Sequence, residues 1–165
     1  MAPTDRTSFP VARTSAAVGN IGDSLKGVHI SGNNVASFTV GATAVKAGQV
    51  VSISATGLDF TVIPCVAEAG SQPIGVAVTD GAVGAKISVA MIGCIAKVSN
   101  YSSDTAIDAS ERLTWNDCAI GGSVIACSGG TTQPLVGRAL ADDVATTLEL
   151  TPILVMCGAR STIHA

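Results

Sequence analysis

Gln72-Pro73-Ile74-Gly75-Val76-Ala77-Val78-Thr79-Asp80 returns later in the chain as Gln133-Pro134-Leu135-Val136-Gly137-Arg138-Ala139-Leu140-Ala141-Asp142. Each copy leads through a few small residues into a β-patterned run. That run is Lys86-Ile87-Ser88-Val89-Ala90-Met91-Ile92 after the first copy and Leu148-Glu149-Leu150-Thr151-Pro152-Ile153-Leu154 after the second. A phrase used twice predicts a small β-domain with internal pseudo-symmetry. The second copy departs from the first by an inserted Val136 and by Arg138. A chain organised this way is built around a scaffold rather than around one active site.

Outward from the phrase, the pattern predicts further strands. Gln49 to Ser54 alternates, a turn at Ala55–Asp59 follows, and Phe60 to Val66 is a second apolar run. Pro73 to Val78 and Ala85 to Ile92 come next, and Gly93 to Val98 continues or pairs with the latter. Asn100 to Ser110 is a polar connection. The second module repeats the order with Glu111–Trp115, Val124–Cys127, Pro134–Asp142 and Leu148–Leu154. Helix signals are weak, and Ala139–Thr147 is the one segment with any. Strands about ten residues apart with Gly-rich turns predict a barrel or sandwich. The fold class expected is therefore all-β: a small β-barrel-like domain of two pseudo-repeated modules, with an extended N-terminal arm.

Composition agrees. Of 165 residues, 47% are hydrophobic but only 3% aromatic and 13% charged, so the apolar content is mostly Ala, Val and Ile, beside 18 Gly. Branched residues suit pleated, half-buried surfaces, and Gly, Asn and Asp supply turns. So little charge leaves the exterior to Ser, Thr and Gly, or to a partner. The net charge of −3 and scattered basic residues exclude a nucleic-acid groove, which needs clustered Lys and Arg with stacking aromatics. No apolar run is long enough to span a bilayer. Met1–Ser8 has no hydrophobic region of a secretory leader, so synthesis in the cytoplasm is expected.

Met1 to Gly48 is rich in Ser, Thr, Ala, Gly and Asn and buries too little apolar surface to order by itself. Val28–Ile30 and Ser37–Val40 are short strand candidates that add to a sheet edge. The expected organisation is an arm over 1–46, a β-domain over 47–157 with modules 47–99 and 110–157, and a tail over 158–165. The arm orders against a partner or neighbouring subunit. Its large apolar residues Phe9, Val11, Val28, Ile30, Phe38 and Val40 are candidate contacts, as is Trp115, the only tryptophan, a core or interface anchor.

The search for chemistry finds no site. His29 and His164 lie in the arm and the tail, badly placed to serve a Cys or Ser nucleophile. The five cysteines form no C-x-x-C pair and have no histidine at ligand spacing, so they read as buried small hydrophobes. A Cys118–Cys127 bridge across a hairpin is the sharper alternative. Asp80, Asp142 and Asp143 follow the repeated phrases and read as turn aspartates bonding their own backbone. Asp104 and Asp108 lack the Gly and terminal Glu of a calcium loop, and Gly129-Gly130 lacks the lysine of a phosphate loop. Lys97 lacks the flanking residues of a lipoyl-type carrier. No catalytic, metal or cofactor residue is assigned.

Ala47-Gly48-Gln49-Val50-Val51, then Pro73-Ile74-Gly75-Val76-Ala77 with Asp80, then Ala82 to Val89, resembles the tailed-phage capsid decoration proteins known as head-stabilising cement or head-fibre proteins. Leu113-Thr114-Trp115 and Pro134 to Asp142 echo it, so the resemblance covers about Ala47 to Leu154. It implies a β-barrel or β-tulip subunit without enzymatic activity, assembling as a homotrimer outside an icosahedral head. There it bridges neighbouring major capsid proteins against internal DNA pressure, with the arm as part of the contact. No nucleic-acid or membrane partner is expected. The competing classes are a secreted or surface-displayed adhesin domain and a small cysteine hydrolase.

Overall fold

The computed structural model describes residues 28–54, 60–66, 72–100, 106–115, 121–127, 135–142 and 149–157. Among them lie eleven strands and no helix: β1 (His29–Ser31), β2 (Val35–Val40), β3 (Val50–Ile53), β4 (Thr61–Pro64), β5 (Pro73–Ala77), β6 (Lys86–Ala90), β7 (Ile95–Asn100), β8 (Arg112–Thr114), β9 (Ile125–Ala126), β10 (Leu135–Ala139) and β11 (Glu149–Val155). Alternation sets their faces. In β2, Phe38 and Val40 point inward while Ser37 and Thr39 do not, and in β6 Ile87 and Val89 are buried between Lys86 and Ser88.

Strands β2-β4-β3-β5-β6 close a barrel around Phe38, Val40, Val51, Val62, Ile87 and Val89. Every neighbouring pair is antiparallel except β2 and β4, which run parallel through Thr39↔Thr61 and Val40↔Val62 and shut the barrel. The other strands form a sheet in the order β1-β7-β11-β10-β8-β9. Without β1, this sheet repeats the strand order of the first barrel as a second, incompletely closed barrel: β7, β11, β10, β8 and β9 stand for β2, β6, β5, β3 and β4. Even the parallel closure recurs, as a single bridge between Asn100 and Val124 with Val124 N donating to Ser99 O at 2.9 Å.

The correspondence reaches individual hydrogen bonds. Gly48 N donates to Ala77 O and Ser110 N to Ala139 O, both at 2.8 Å; Ala77 N donates to Gln49 O and Ala139 N to Glu111 O, at 2.8 and 2.9 Å. Both modules also bulge at one place. Val51 and Ser52 face Gly75 and Pro73, and Leu113 and Thr114 face Gly137 and Leu135, which leaves Ile74 and Val136 as the bulged residues. Val136 is therefore not an insertion. The structural partner of Pro73 is Leu135, and the offset between the copies lies before the strand. Glycine fixes this register, because a Cβ at Gly75 would strike the Ala90 carbonyl oxygen and one at Gly137 the equivalent Leu154 oxygen.

Two expected boundaries move. The body starts at Val28, not after residue 46: β1 adds to the edge of the second sheet, as foreseen, but β2 is an internal stave of the first barrel. The strand after Gly93 pairs with β1 and β11 rather than β6, so the module boundary falls between β6 and β7, not at Asn100–Ser110. Ala139 ends β10, Leu140–Ala141 bends and Asp142 is not helical, while residues 143–147 of the helix candidate lie outside the described residues. The second core is continuous with one outer face of the first barrel, through Val50, Cys65, Val76, Val78 and Ala90.

Candidate interaction surfaces

The aspartates that end the two phrases hold the modules together internally. Asp80 Oδ1 accepts from Ala47 N at 2.8 Å, and Asp142 Oδ1 accepts from Ala109 N at 2.7 Å. They act across the barrel wall, tying the exit of β5 or β10 to the entry of β3 or β8. Beside the first, Lys46 Nζ lies 3.7 Å from Asp80 Oδ2, an exposed pair of small worth. Asp108 stands where Lys46 does in the other copy, and its N donates to Glu111 Oε2 at 3.0 Å, as Lys46 N does to Gln49 Oε1 at 2.8 Å.

The thiols are placed for packing. Cys65, Cys94 and Cys157 are buried. Burial pushes the Cys65 thiol up to about 12, offset only in part by the Ser52 hydroxyl, and burial with Cys65 nearby pushes Cys157 higher still. Burial also raises Cys127, which is half-buried, and Arg112 partly opposes it. The thiolate is the reactive and metal-binding form of cysteine, and burial disfavours it at Cys65 and Cys157. Among the described residues no three His, Cys, Asp or Glu side chains gather into a metal site. No helix there is long and apolar enough to cross a membrane. Cys118, Asp104, Asp143, Gly129-Gly130 and His164 lie outside the described residues, and Lys97 sits within β7 between the buried Ala96 and Val98.

The expected contact residues divide. Phe9 and Val11 lie outside the described residues. Val28, Phe38, Val40 and Trp115 are taken up by the chain's own core, and Ile30 is half-buried on β1. The reason is that β1 and β2 are parts of the body. Trp115, 4% exposed, packs in the second core with its indole Nε1–H lacking an acceptor.

Among the described residues, several exposed apolar side chains gather in a ring at one end of the first barrel. There β2, β4 and β5 begin and β3 and β6 end. Val35 is 37% exposed, Ile53 50%, Phe60 71% and Ile92 52%, while Ile74 and Met91 are half-buried against the barrel interior. Phe60 adopts a left-handed φ of 58° and leans on Phe38, ring centroids 6.1 Å apart. Sequence reasoning passed over this ring. Its one legible signal was the duplication, which sets Ile53 against Trp115.

Two comparisons bear on these surfaces. A family model described as phage cement protein matches residues 29–151. The chain belongs to the phage cement protein family. Its match begins at β1, which agrees with the start of the body at Val28. Among solved structures this cement protein is similar to "head fiber gp8.5 N base in bacteriophage phi29", with a TM-score of 0.55 and 19% identity over 79% of this chain and 98% of the other. At that identity the likeness concerns the fold. No curated protein sequence matches.

Proposed function

We propose that this cement protein is a non-enzymatic virion component, made in the host cytoplasm, that binds the outer surface of an icosahedral phage head as a homotrimer. It joins neighbouring major capsid proteins and so stabilises the head against internal DNA pressure, without nucleic-acid or membrane partners. The family match over residues 29–151 carries this reading. Three features support it: the rigid β-body, the apolar ring and the low share of charged residues. Each single contact need only be modest, since a trimer multiplies its attachment.

The segment before Val28, with Phe9 and Val11, is the proposed arm, and the fold sharpens how it is tested. Deletion through residue 40 would remove β1 and β2 from the body, so the informative truncation removes residues 1–27. Full chain and truncation are mixed with purified expanded capsids and the bound fraction is measured by sedimentation. The full chain is expected to bind and the truncation to bind more weakly. A full chain that does not bind refutes the cement reading, and equal binding of both refutes the arm.

A further inference from the structure

The two barrels carry equivalent ends, and the chain covers only one of them. At the second barrel, Ile95, Trp115, Gly122, Val136, Val155 and Met156 occupy the positions of Val35, Ile53, Phe60, Ile74, Met91 and Ile92. There Trp115, Val136 and Val155 are buried. Their cover is the opposite end of the first barrel: Gly122 O accepts from Val50 N at 2.7 Å, Gly122 N donates to Cys65 O at 2.7 Å, and Gln49 Nε2 donates to Gly121 O at 2.8 Å. Gly122 is left-handed, as Phe60 is, with φ 80°, and a Cβ there would lie 2.7 Å from that of Gln49. Close approach thus requires glycine in the covered copy. The uncovered copy has an exposed aromatic ring instead, in a backbone region disfavoured for any residue with a Cβ.

We propose that the ring formed by Val35, Ile53, Phe60, Ile74, Met91 and Ile92 is the surface through which copies of this chain meet, their like ends converging on the axis of the proposed homotrimer. Three observations select that occupant. Among the described residues the ring has no charged side chain, which suits the apolar core of a homo-oligomeric interface. Only 13% of the residues are charged, so free subunits have little with which to keep such a patch soluble, and self-association buries it before any capsid is met. A head-to-tail stack is blocked. The face of the first barrel that covers the second uses buried Val50 and Val76, and the equivalent positions of the second barrel carry Arg112 and Arg138. Arg138 is exposed, its Nη1 donating to Ser110 O at 3.2 Å. This is how a terminal repeat is capped, and it leaves the ring to meet its own kind around a rotation axis.

The inference rests on the proposed self-association and assigns it a surface. The test measures the mass of the full chain by light scattering during size exclusion, over a wide concentration range, for wild type, Phe60→Asp, Ile53→Asp and the control Leu140→Asp. Leu140, 48% exposed, lies at the arginine-capped face. Wild type and Leu140→Asp are expected to remain oligomeric, and each ring variant to dissociate at concentrations about 100-fold higher. Circular dichroism melting shows whether each variant still folds. Should the aspartates unfold the barrel, a photo-crosslinking residue at Ile92 replaces them, and chain-to-chain adducts are expected. A monomeric wild type, unchanged ring variants, equal dissociation of the control, or no adduct overturns the proposal. Capsid binding is scored separately. Ring variants that keep their mass but lose the capsid would overturn this inference and leave the cement function standing.

Discussion

The first barrel is shut by two parallel residue pairs and keeps one apolar end open; the second is shut by one bridge and has that same end covered. Their interiors differ in kind as well. Where the first has Val40 and Ile87, the second buries Asn100 and Thr151. The difference teaches that one backbone plan can hold two energetic roles. The first barrel encloses an apolar interior of its own and has an apolar end to spare. The second shares its core with the face it packs against, and arginines stand where that face has valines.

Matched substitutions sharpen that contrast most where the paired positions differ in burial. Trp115→Ala removes a large buried ring and should lower unfolding stability by about 4 kcal/mol, whereas Ile53→Ala, at the equivalent open position, should cost below about 1 kcal/mol in the dissociated subunit. Urea titration of both variants measures this, and equal losses would mean that the two ends are alike.

Gly75→Ala and Gly137→Ala test the opposite proposition, that the bulges are equivalent. Each new Cβ meets a carbonyl oxygen of the neighbouring strand, which no side-chain rotation relieves. Both should destabilise by about 3 kcal/mol in chemical denaturation. A tolerated change at either site would break the pairing of the two phrases.

Cys65 and Cys127 occupy equivalent positions, the first covered and the second half-buried. Cys65 stays protonated in the fold up to about 12, while its unfolded value is 9.0. Between these values the unfolded chain binds fewer protons, so stability falls as pH rises, by about 1.4 kcal/mol per pH unit for one such thiol. Below about pH 9 this contribution is flat. Thermal melts across that window should show a shallower decline for Cys65→Ala and little change for Cys127→Ala. Matching declines in the two variants would show the covered face to be open to solvent.

Ser110 holds φ 71° where the first copy has Gly48 at 89°. Ser110→Gly should therefore raise stability by about 0.5 kcal/mol, the relief of left-handed strain outweighing the extra freedom of the unfolded chain. An unchanged or lower denaturation midpoint would assign the serine a contact that offsets its strain.

Most of the β-pattern was legible because the twofold phrase carries its own register: Gly75 and Gly137 mark the bulges, and Ile87 and Val89 alternate with Lys86 and Ser88. The stave β2 was less so. Val35–Val40 matches Ile95–Asn100 in alternation but in almost no residue, and Ser- and Asn-rich neighbours made its surroundings read as an arm. Its place in the barrel depends on parallel pairing with β4, a distant contact with no local signature. The apolar ring was hidden for another reason. Val35, Ile53 and Ile92 read as ordinary strand residues, and which strand ends stay uncovered is decided by how the two barrels pack.

The lone bridge between Asn100 and Val124 implies a direction of wear. A cylinder of staves parts at its weakest joint, and among the described residues the second seam has one residue pair where the first has two. Amide deuteration should therefore advance along the β7–β9 seam before it reaches β2 and β4. A subunit whose upper and lower halves loosen in sequence would yield under strain by stages, its first half intact while the second breathes.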